Sequence, residues 1–388
     1  MRKLVTLRTV AEIVPIEGAD AIEVAVVDGW SCVVKKGEFK EGDKAIYFEI
    51  DSILPYGDER FAFLMARGCK MQPTEDGGLL EGHRLRTIKL RGQVSQGLLI
   101  KPDVAFSDPT LYLRGINVAE GPFLDYRHSV EGELKRIYFN DEENNDLSDV
   151  FGVKKYEKPI PAQLAGMIAG NYPVWLPKTD QDRIQNCFGR APEGKYHAEE
   201  KFEGSSMTIY HDGEKLGVTS RNLDLKLEQE GNTFIDVAKA SGIFDALTAW
   251  IARFNQDDFI PRIAIRGELI GPGVQGNIYG LTAHRFMIYD VFAHDHYLTP
   301  LGRHVFLEEF IKPFAGKNVG YVHTLFTMTR GEYATKESYK EFLGKATGKS
   351  ILADTLREGI VYKSDIQHRG DVFSFKAISP EYLLGEKE

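Results

Sequence analysis

The sequence is poor in cysteine and has no long apolar run. Its three cysteines, Cys32, Cys69 and Cys187, are spread over 388 residues. An odd number at these spacings fits neither a disulfide framework nor a metal-ligand pattern, which favours a reducing, cytoplasmic location. No stretch of about 18 apolar residues is present, so we expect no membrane span. Residues 1–13, MRKLVTLRTVAEI, also lack the apolar core of a signal peptide.

The charge is unevenly distributed. The net charge of −9 argues against indiscriminate binding to nucleic acid but leaves room for a local basic track. One candidate lies in a short stretch with Arg84, Arg86, Lys89, Arg91 and Lys101. A solvated strand face is the alternative interpretation of this stretch.

The first part of the chain has the pattern of β-strands. Segments such as AIEVAVVDGWSCVVKKG and KAIYFEI are rich in β-branched and aromatic residues and are separated by DG, KG and GD turn signals. Several short strands with glycine-marked turns predict a small barrel, of which the OB-fold is a common form. We assign this domain to residues 1–150.

A change in composition marks the domain boundary. Residues 140–149, NDEENNDLSD, are acidic, and residues 154–161 end in two prolines, so we predict a linker at 151–163. The second domain, 164–388, is predicted to be α+β with mainly antiparallel sheet. Residues 205–220 predict a hairpin around a DG turn. Residues 232–254 have the apolar spacing of one amphipathic helix.

The second domain contains an ordered series of short motifs. They are KFEGSS (201–206), SRN (220–222), RGELIGPG (266–273), RFMIYDVF (285–292), EGIVYK (358–363) and FSFK (373–376). Each is weak alone, but the ordered set resembles the covalent nucleotidyltransferases, namely DNA ligases, RNA ligases and mRNA capping enzymes. KTDQDRIQN (178–186), GWSCVVKKGEF (29–39) and LRGQVSQGLLIKP (90–102) make the chain most similar to RNA ligases with an OB-like module before the catalytic domain.

The resemblance implies a reaction that begins on Lys201. Its amine would attack the α-phosphorus of ATP, release pyrophosphate and retain AMP. The enzyme would then join the 3′-OH and 5′-phosphate ends of RNA, with nick sealing in a duplex and RNA repair as the expected purpose. Lysine is protonated at neutral pH, so nearby cationic charge and burial must favour the neutral amine. No membrane and no obligate protein partner are expected.

Matching motif positions supply the other site residues that the resemblance implies. Lys363, Lys376 and a divalent metal, Mg²⁺ or Mn²⁺, would provide the cationic charge. Glu203, Glu268 and Glu358 would hold the metal directly or through retained waters, and Glu268 would also meet the ribose. The remaining assignments are Glu200 for the adenine edge, Arg221 and Asn222 for the ribose and RNA ends, and Arg183 for a phosphate.

Two positions leave alternatives open. Phe286 matches the family position whose ring stacks on the base, but core packing explains an apolar ring equally well. Ser374 stands where many relatives have the first of two lysines separated by one residue. Either Lys376 acts on the phosphates alone or Lys363 shares this work.

Other members of the superfamily are weaker matches. A capping enzyme would use GTP, and both it and a DNA ligase normally carry an OB domain after the catalytic domain, whereas few residues follow Lys376. A non-catalytic RNA-binding relative is a further alternative. Every expected catalytic residue except the one at position 374 is present, which argues against it.

Overall fold

A computed structural model describes residues 3–66, 68–105, 123–127, 134–138, 145–157, 166–178, 181–254, 261–368 and 370–385. The chain divides into two compact units, Met1–Ile160 and Pro161–Glu388. No helix in these described ranges is long and apolar enough to cross a membrane.

The first unit consists mainly of short strands. They are β1 Val5–Thr9, β2 Glu12–Pro15, β3 Ile22–Val27, β4 Trp30–Lys35, β5 Lys44–Phe48, β6 Ser52–Pro55, β7 Lys70–Pro73, β8 Leu79–Arg84, β9 Thr87–Leu90, β10 Gln93–Gln96, β11 Leu98–Ile100, β12 Phe123–Arg127, β13 Leu134–Tyr138 and β14 Lys154–Lys155. Two short helices, α1 Ala62–Met65 and α2 Pro102–Ala105, accompany them.

The strands of this unit form small antiparallel sheets, and β1, β5, β6 and β11 contribute side chains to an apolar core. Their orders are β1-β5-β11, β2-β3-β4 and β14-β6-β8-β7, with the pairs β9-β10 and β12-β13. The rings of Phe61 and Phe151 pack edge-to-face on Phe48 at centroid distances of 5.3 and 5.1 Å. Such edge-to-face packing adds to the free energy gained by burial.

Part of the predicted linker, 151–163, packs within the first unit. Phe151 and Val153 are each only 2% exposed and belong to the core of the first unit. The preceding polar segment is anchored as well, because the side-chain amide of Asn145 accepts from the backbone of Leu7 at 3.1 Å and donates to it at 3.0 Å. Residues 151–157 therefore belong to the first unit, and 158–163 lie outside the described residues.

The basic residues between Arg84 and Lys101 differ in their exposure and in their partners. Arg84 lies 2.6 Å from Asp51, and its guanidinium is 3.8 Å from the ring centre of Tyr156. Lys89 on β9 and Arg91 in the following turn are exposed. Only part of the stretch is therefore available to a phosphate backbone.

The second unit contains two larger sheets. Its strands are β15 Ile168–Asn171, β16 Asp182–Arg183, β17 Gly194–Lys201, β18 Ser205–His211, β19 Leu216–Thr219, β20 Leu223–Leu225, β21 Ile263–Ile270, β22 Arg285–Ala293, β23 His296–Tyr297, β24 Val319–Tyr321, β25 Thr324–Arg330, β26 Gly359–His368 and β27 Asp371–Ile378. Its helices are α3 Ile184–Cys187, α4 Thr233–Ala240, α5 Ile243–Ala252, α6 Pro300–Phe306, α7 Lys336–Gly344 and α8 Pro380–Gly385.

The two sheets differ in size and in the helices that pack against them. The eight-stranded sheet has the order β15-β20-β19-β18-β21-β22-β23, with β24 beside β22. Helices α4 and α5 pack on one face of it, where they bury Ile209, Leu247 and Ile265. The five-stranded sheet has the order β16-β27-β26-β17-β25. Its apolar face packs against Phe342 of α7.

The predicted hairpin is confirmed, whereas the predicted single helix is two helices. Strands β18 and β19 pair antiparallel around the DG turn. Between α4 and α5 the chain breaks at Gly242, whose φ of 71° lies in the left-handed region. A Cβ at this position would also clash with the carbonyl oxygen of Phe314. Apolar spacing continues across the break, which is why the sequence pattern did not reveal it.

Candidate active site

Strand β17 carries Lys201 at its last position. Side chains alternate along a strand, so the buried Tyr196 and Ala198 face the apolar core and Glu199 and Lys201 face the other side. Residues paired across antiparallel strands share a face, and Lys363 on β26 lies opposite His197 in the same register. Three of the residues predicted from the motifs, Lys201, Lys363 and Lys376, therefore lie on one face of the five-stranded sheet.

The turn after Lys201 is held by a second loop. The backbone N–H of Glu203 donates to the hydroxyl of Tyr279 at 2.6 Å, and Gln275 donates its amide to the carbonyl of Gly204 at 3.2 Å. A Cβ at Gly204 would clash with the carbonyl oxygen of Leu269, which explains the glycine in KFEGSS. The position of Lys201 therefore depends on contacts with residues about 70 positions later in the chain.

Carboxylates are the charged groups nearest to Lys201. Its Nζ lies 2.6 Å from Oε1 of Glu358, at the point where β26 begins. Burial opposes the charge on this amine, but Glu358 and Glu268 outweigh burial and raise the pKa of Lys201. The expectation that neighbouring lysines lower this pKa is not met in the free protein.

The carboxyl of Glu268 lies in the same cluster. Burial raises the pKa of Glu268 from 4.5 to about 8, Lys201 opposes this shift, and Glu358 adds to it. Arg221 is also close enough to lower this pKa. Lys201, Glu268, Glu358 and Arg221 are therefore brought together from motifs that lie up to about 150 residues apart.

Lys363 has a different environment from the one expected. The residue is 3% exposed, and its ammonium lies 2.7 Å from Oδ1 of Asp290 and 3.1 Å from Oε2 of Glu199. It also donates to the carbonyl oxygen of Tyr289 at 2.6 Å. Glu199 and Asp290 thus already balance the charge of Lys363, which its motif position had implied for the phosphates of ATP.

Arg303 completes this buried cluster, which the sequence motifs do not predict. Its guanidinium forms a bidentate pair with Glu199 and donates to the carbonyl oxygen of Tyr289. Burial alone would raise the pKa of Glu199, but Arg303 and Lys363 outweigh it and lower that pKa. No recognised motif includes Glu199 or Arg303, so only their spatial contact identifies them.

Ser374, which stands where many relatives have a lysine, lies on β27 beside Lys363. Ser374 pairs directly with Lys363 in the register of β26 and β27, and Lys376 pairs with Val361. On its other side, Lys376 pairs with the buried Arg183 of β16. Lys376 and Arg183 are therefore neighbouring basic residues on adjacent strands, and the phosphate role of Arg183 stays a prediction.

Glu200 faces away from Lys201, on the other side of β17. Its Oε2 accepts from the backbone N–H of Ile351 at 2.8 Å, whereas its buried Oε1 has no hydrogen-bond partner among the described residues. Burial raises the pKa of this carboxyl. A buried acceptor without a donor is costly, so the site favours a ligand that brings an N–H group.

Phe286 lies in the core and not at the site. Its ring is 0% exposed and packs in the cluster beneath α4 and α5, opposite Leu269 and on the other face from Glu268. The half-buried Tyr289 lies on the site face instead, with its hydroxyl 3.2 Å from Oγ of Ser206. Phe286 is predicted from its motif position alone, which does not show on which face of β22 a ring lies. A register shift between Arg266 and Gly267 leaves Tyr289 as the extra residue of the ladder.

Arg221 and Asn222 lie in the turn between β19 and β20. Asn222 accepts from Nζ of Lys178 at 2.8 Å, and its backbone carbonyl accepts from the N–H of Tyr172 at 3.2 Å. Arg221 is exposed. The turn thus brings the charge of Arg221 near Glu268, while the amide of Asn222 is held by Lys178.

The acidic residues do not form a complete metal cage. Within the described ranges, no group of three or more His, Cys, Asp or Glu side chains is placed to hold a metal ion. Glu358 is nevertheless close enough to Glu268 to add to the rise in the pKa of Glu268. This environment suits a divalent cation that takes its remaining ligands from phosphate oxygens and water.

Comparison with known proteins decides the family. An OB-fold domain model matches residues 4–102, and an RNA ligase model matches residues 194–378. An unliganded variant of Naegleria gruberi RNA ligase is 32% identical with a TM-score of 0.75, over 99% of this chain and 98% of that chain. The chain belongs to the RNA ligases. No curated protein was found to match this ligase.

Two further structures of the Naegleria gruberi enzyme resemble this RNA ligase along its length. One variant, solved with ATP and Mn, is 33% identical with a TM-score of 0.76 and covers 98% of both chains. A second variant, solved with AMP and Mn, has the same identity, TM-score and coverage. The predicted fold is confirmed, since an N-terminal OB-fold domain precedes an antiparallel-sheet ligase domain.

Proposed function

We propose that this RNA ligase loads itself with AMP on Lys201 and uses it to seal nicks whose 3′-OH side is RNA. The observation that carries the proposal is the convergence of Lys201, Glu358, Glu268 and Arg221 in one cluster. A lysine held at a strand end among acids and an arginine suits transfer of a nucleotidyl group. The relative solved with ATP and Mn supports ATP and a divalent metal as its requirements.

The first step is the transfer of AMP to the enzyme. The neutral amine of Lys201 attacks the α-phosphorus of ATP, so that an N–P bond forms and the P–O bond to pyrophosphate breaks. The amine loses its proton, and Glu358 at 2.6 Å is the acceptor nearest to it. A divalent metal, Mg²⁺ or Mn²⁺, held by Glu358 and Glu268 with support from Glu203, would neutralise the phosphate charge and favour the neutral amine.

We expect adenine to bind at the end of β17, between Glu200 of that strand and Tyr289 of β22. The acceptor Oε1 of Glu200, which has no partner among the described residues, is suited to the adenine amino group. The ring of Tyr289 would supply the flat surface for the base, because Phe286 is enclosed in the core. A stack of this kind is worth roughly 1–3 kcal/mol.

The later steps move AMP to RNA and then release it. The 5′-phosphate attacks the lysyl-AMP, and Lys201 leaves as the amine. The 3′-OH next attacks the activated phosphate, a phosphodiester forms, and AMP leaves. Lys376 and Arg183, which pair on adjacent strands, would neutralise phosphate charge, and Arg221 and Asn222 would contact the ribose end.

Labelling with radioactive nucleotide tests the proposal. Incubation with ATP and metal should add one AMP to the intact chain. The variant Lys201→Ala should carry none, whereas Lys195→Ala, which removes an exposed lysine from the same strand, should load normally. Labelling of Lys201→Ala would refute the assignment, and labelling by GTP in place of ATP would point to capping chemistry.

Nicked duplexes then test the substrate. Sealing should be strongest when the strand that carries the 3′-OH is RNA, because Arg221 and Asn222 would meet its terminal ribose. A duplex with DNA on that side and RNA on the 5′-phosphate side is the matched control. Equal sealing of all-DNA nicks would turn the assignment toward DNA joining.

A further inference from the structure

Four buried charges lie behind the proposed catalytic lysine. Glu199, Asp290, Arg303 and Lys363 are 1%, 5%, 4% and 3% exposed. Two are acids and two are bases, so their charges balance. The guanidinium of Arg303 pairs with Glu199 and lies 3.8 Å from Asp290, while Lys363 pairs with both acids. We call these four residues the buried quartet.

The quartet joins the two sheets of the ligase domain. Glu199 lies on β17 and Lys363 on β26, both in the five-stranded sheet. Asp290 lies on β22 of the eight-stranded sheet, and Arg303 lies on α6, shortly after β23 of that sheet. Burying four charges is expensive, and apolar residues often stabilise such a position better. A gain in fold stability therefore does not explain why the quartet is present.

The contacts of the quartet give a better explanation. They involve both β17, which carries Lys201, and β22, which carries Tyr289. Glu199 precedes Lys201 by two residues and faces the same side of β17. Arg303 and Lys363 both donate to the carbonyl oxygen of Tyr289, which lies on β22 of the other sheet. One cluster thus holds the strand that ends in Lys201 and the backbone of Tyr289.

We infer that Arg303 is a positioning residue for the transfer of AMP, and that it sets the distance between Lys201 and the nucleotide bound beside Tyr289. The inference rests on the role proposed above for Lys201. Arg303 is 4% exposed, so it acts through Glu199 and the backbone of Tyr289 and not by direct contact with the nucleotide.

An arginine is needed because its contacts point in several directions at once. The planar guanidinium donates to both oxygens of Glu199, to the carbonyl of Tyr289 and, at 3.5 Å, to the carbonyl of Val322. A lysine keeps the charge but cannot reproduce this fork. In Arg303→Lys the balance of charge is therefore preserved while the spacing between the two sheets is not fixed.

The test is single-turnover loading of the full-length ligase across a series of ATP concentrations. Arg303→Lys should load at least about 10-fold more slowly, since a displacement of about 1 Å can cost roughly 100-fold. The half-saturating ATP concentration should change little, because the residues that touch the nucleotide are retained. Arg330→Lys is the matched control, since Arg330 is also a buried arginine of this domain and donates to the carbonyls of Gly189, Gly331 and Glu332.

The amplitude of loading separates positioning from folding. If Arg303 only stabilised the fold, Arg303→Lys would leave fewer active molecules, and these would load at the wild-type rate. That result would overturn the inference. The double variant Glu199→Gln with Arg303→Met, which removes one charge of each sign, should also load slowly although its charges remain balanced.

Failure of the inference can be told apart from failure of the proposed function. Lys201→Ala is measured in the same experiment. If it takes up label, the carrier is another residue and both proposals fall. If it stays unlabelled while Arg303→Lys loads at the wild-type rate, only the role of Arg303 is wrong.

Discussion

Nζ of Lys201 lies 2.6 Å from Oε1 of Glu358, where β17 ends and β26 begins. This pair keeps the lysine charged in the free protein, since Glu358 and Glu268 outweigh burial and raise the pKa of Lys201. Activation of Lys201 therefore has to accompany nucleotide and metal binding.

Glu358→Gln should slow loading of AMP. Loss of the carboxylate lowers the pKa of Lys201, which favours the neutral amine, but it also removes the acid proposed to accept the proton and hold the metal. Groups that stabilise charge in a transition state are worth on the order of 10²–10³-fold, so we expect the second effect to dominate. Single-turnover loading measures the rate, and equilibrium ATP binding should change much less. Glu308→Gln, which removes an exposed acid paired with Lys312, should load normally, whereas equal rates for both variants would show that Glu358 is a bystander.

The two aromatic residues of β22 should behave differently. Tyr289→Ala should weaken ATP binding by about 1–3 kcal/mol, or roughly 5- to 150-fold, and Tyr289→Phe should retain most of the affinity. Phe286→Ala should instead lower the free energy of unfolding by about 3–5 kcal/mol, since it leaves a cavity in the core. Titration with ATP and denaturant unfolding of each variant make the comparison. Normal ATP affinity in Tyr289→Ala would exclude it as the base-stacking ring.

The two lysines of β26 and β27 should also differ in their effects. Lys363→Met leaves two buried carboxylates with one cation, so the free energy of unfolding should fall by about 3–5 kcal/mol. Lys376→Ala should change stability little but slow loading strongly, because the half-buried Lys376 is the lysine proposed to act on the phosphates. Denaturant unfolding and single-turnover loading of both variants provide the test. A large loss of stability in Lys376→Ala would give it a structural role instead.

The stability of the fold should depend on pH through Glu199. The carboxyl has its ordinary pKa near 4.5 when unfolded, and its pKa is lowered in the folded protein because Arg303 and Lys363 outweigh burial. Its contribution is therefore fully present above about 4.5 and is lost as the pH falls through the lower, folded pKa. The difference in free energy of unfolding between wild type and Glu199→Gln should be largest above pH 4.5. It should become smaller in more acidic solution. A constant difference across this range would contradict the lowered pKa.

The two domains should divide the work of sealing. A chain that begins at Pro161 contains every residue proposed for loading, so it should still label itself with AMP but seal nicks poorly. Sealing by the full-length enzyme should fall with salt if exposed residues such as Lys89 and Arg91 contact phosphates. Circular dichroism confirms that the shortened chain folds, and Lys89→Ala with Arg91→Ala tests the contacts in the full-length enzyme. Equal sealing by the full-length and shortened chains would remove the role proposed for the first domain.

The sequence by itself determined the order of the motifs, the family and several of the strands. It identified Lys201 as the nucleophile to test, and it placed the hairpin formed by β18 and β19 correctly. These features are local, because a strand or a DG turn is encoded by a few consecutive residues. The resemblance of six ordered motifs needed no knowledge of how they meet in space.

Tertiary structure decided which of these residues face one another. A one-residue shift in the β21-β22 ladder reverses which side chains point to the site, so Tyr289 replaces Phe286 there. The pairing of Glu199 with Arg303 spans 104 positions of sequence, and that of Lys363 with Asp290 spans 73. Neither is visible to a local pattern. Burial then makes the charge of Lys363 part of a closed network, because a charge removed from water requires partners, and only the folded chain brings those partners together.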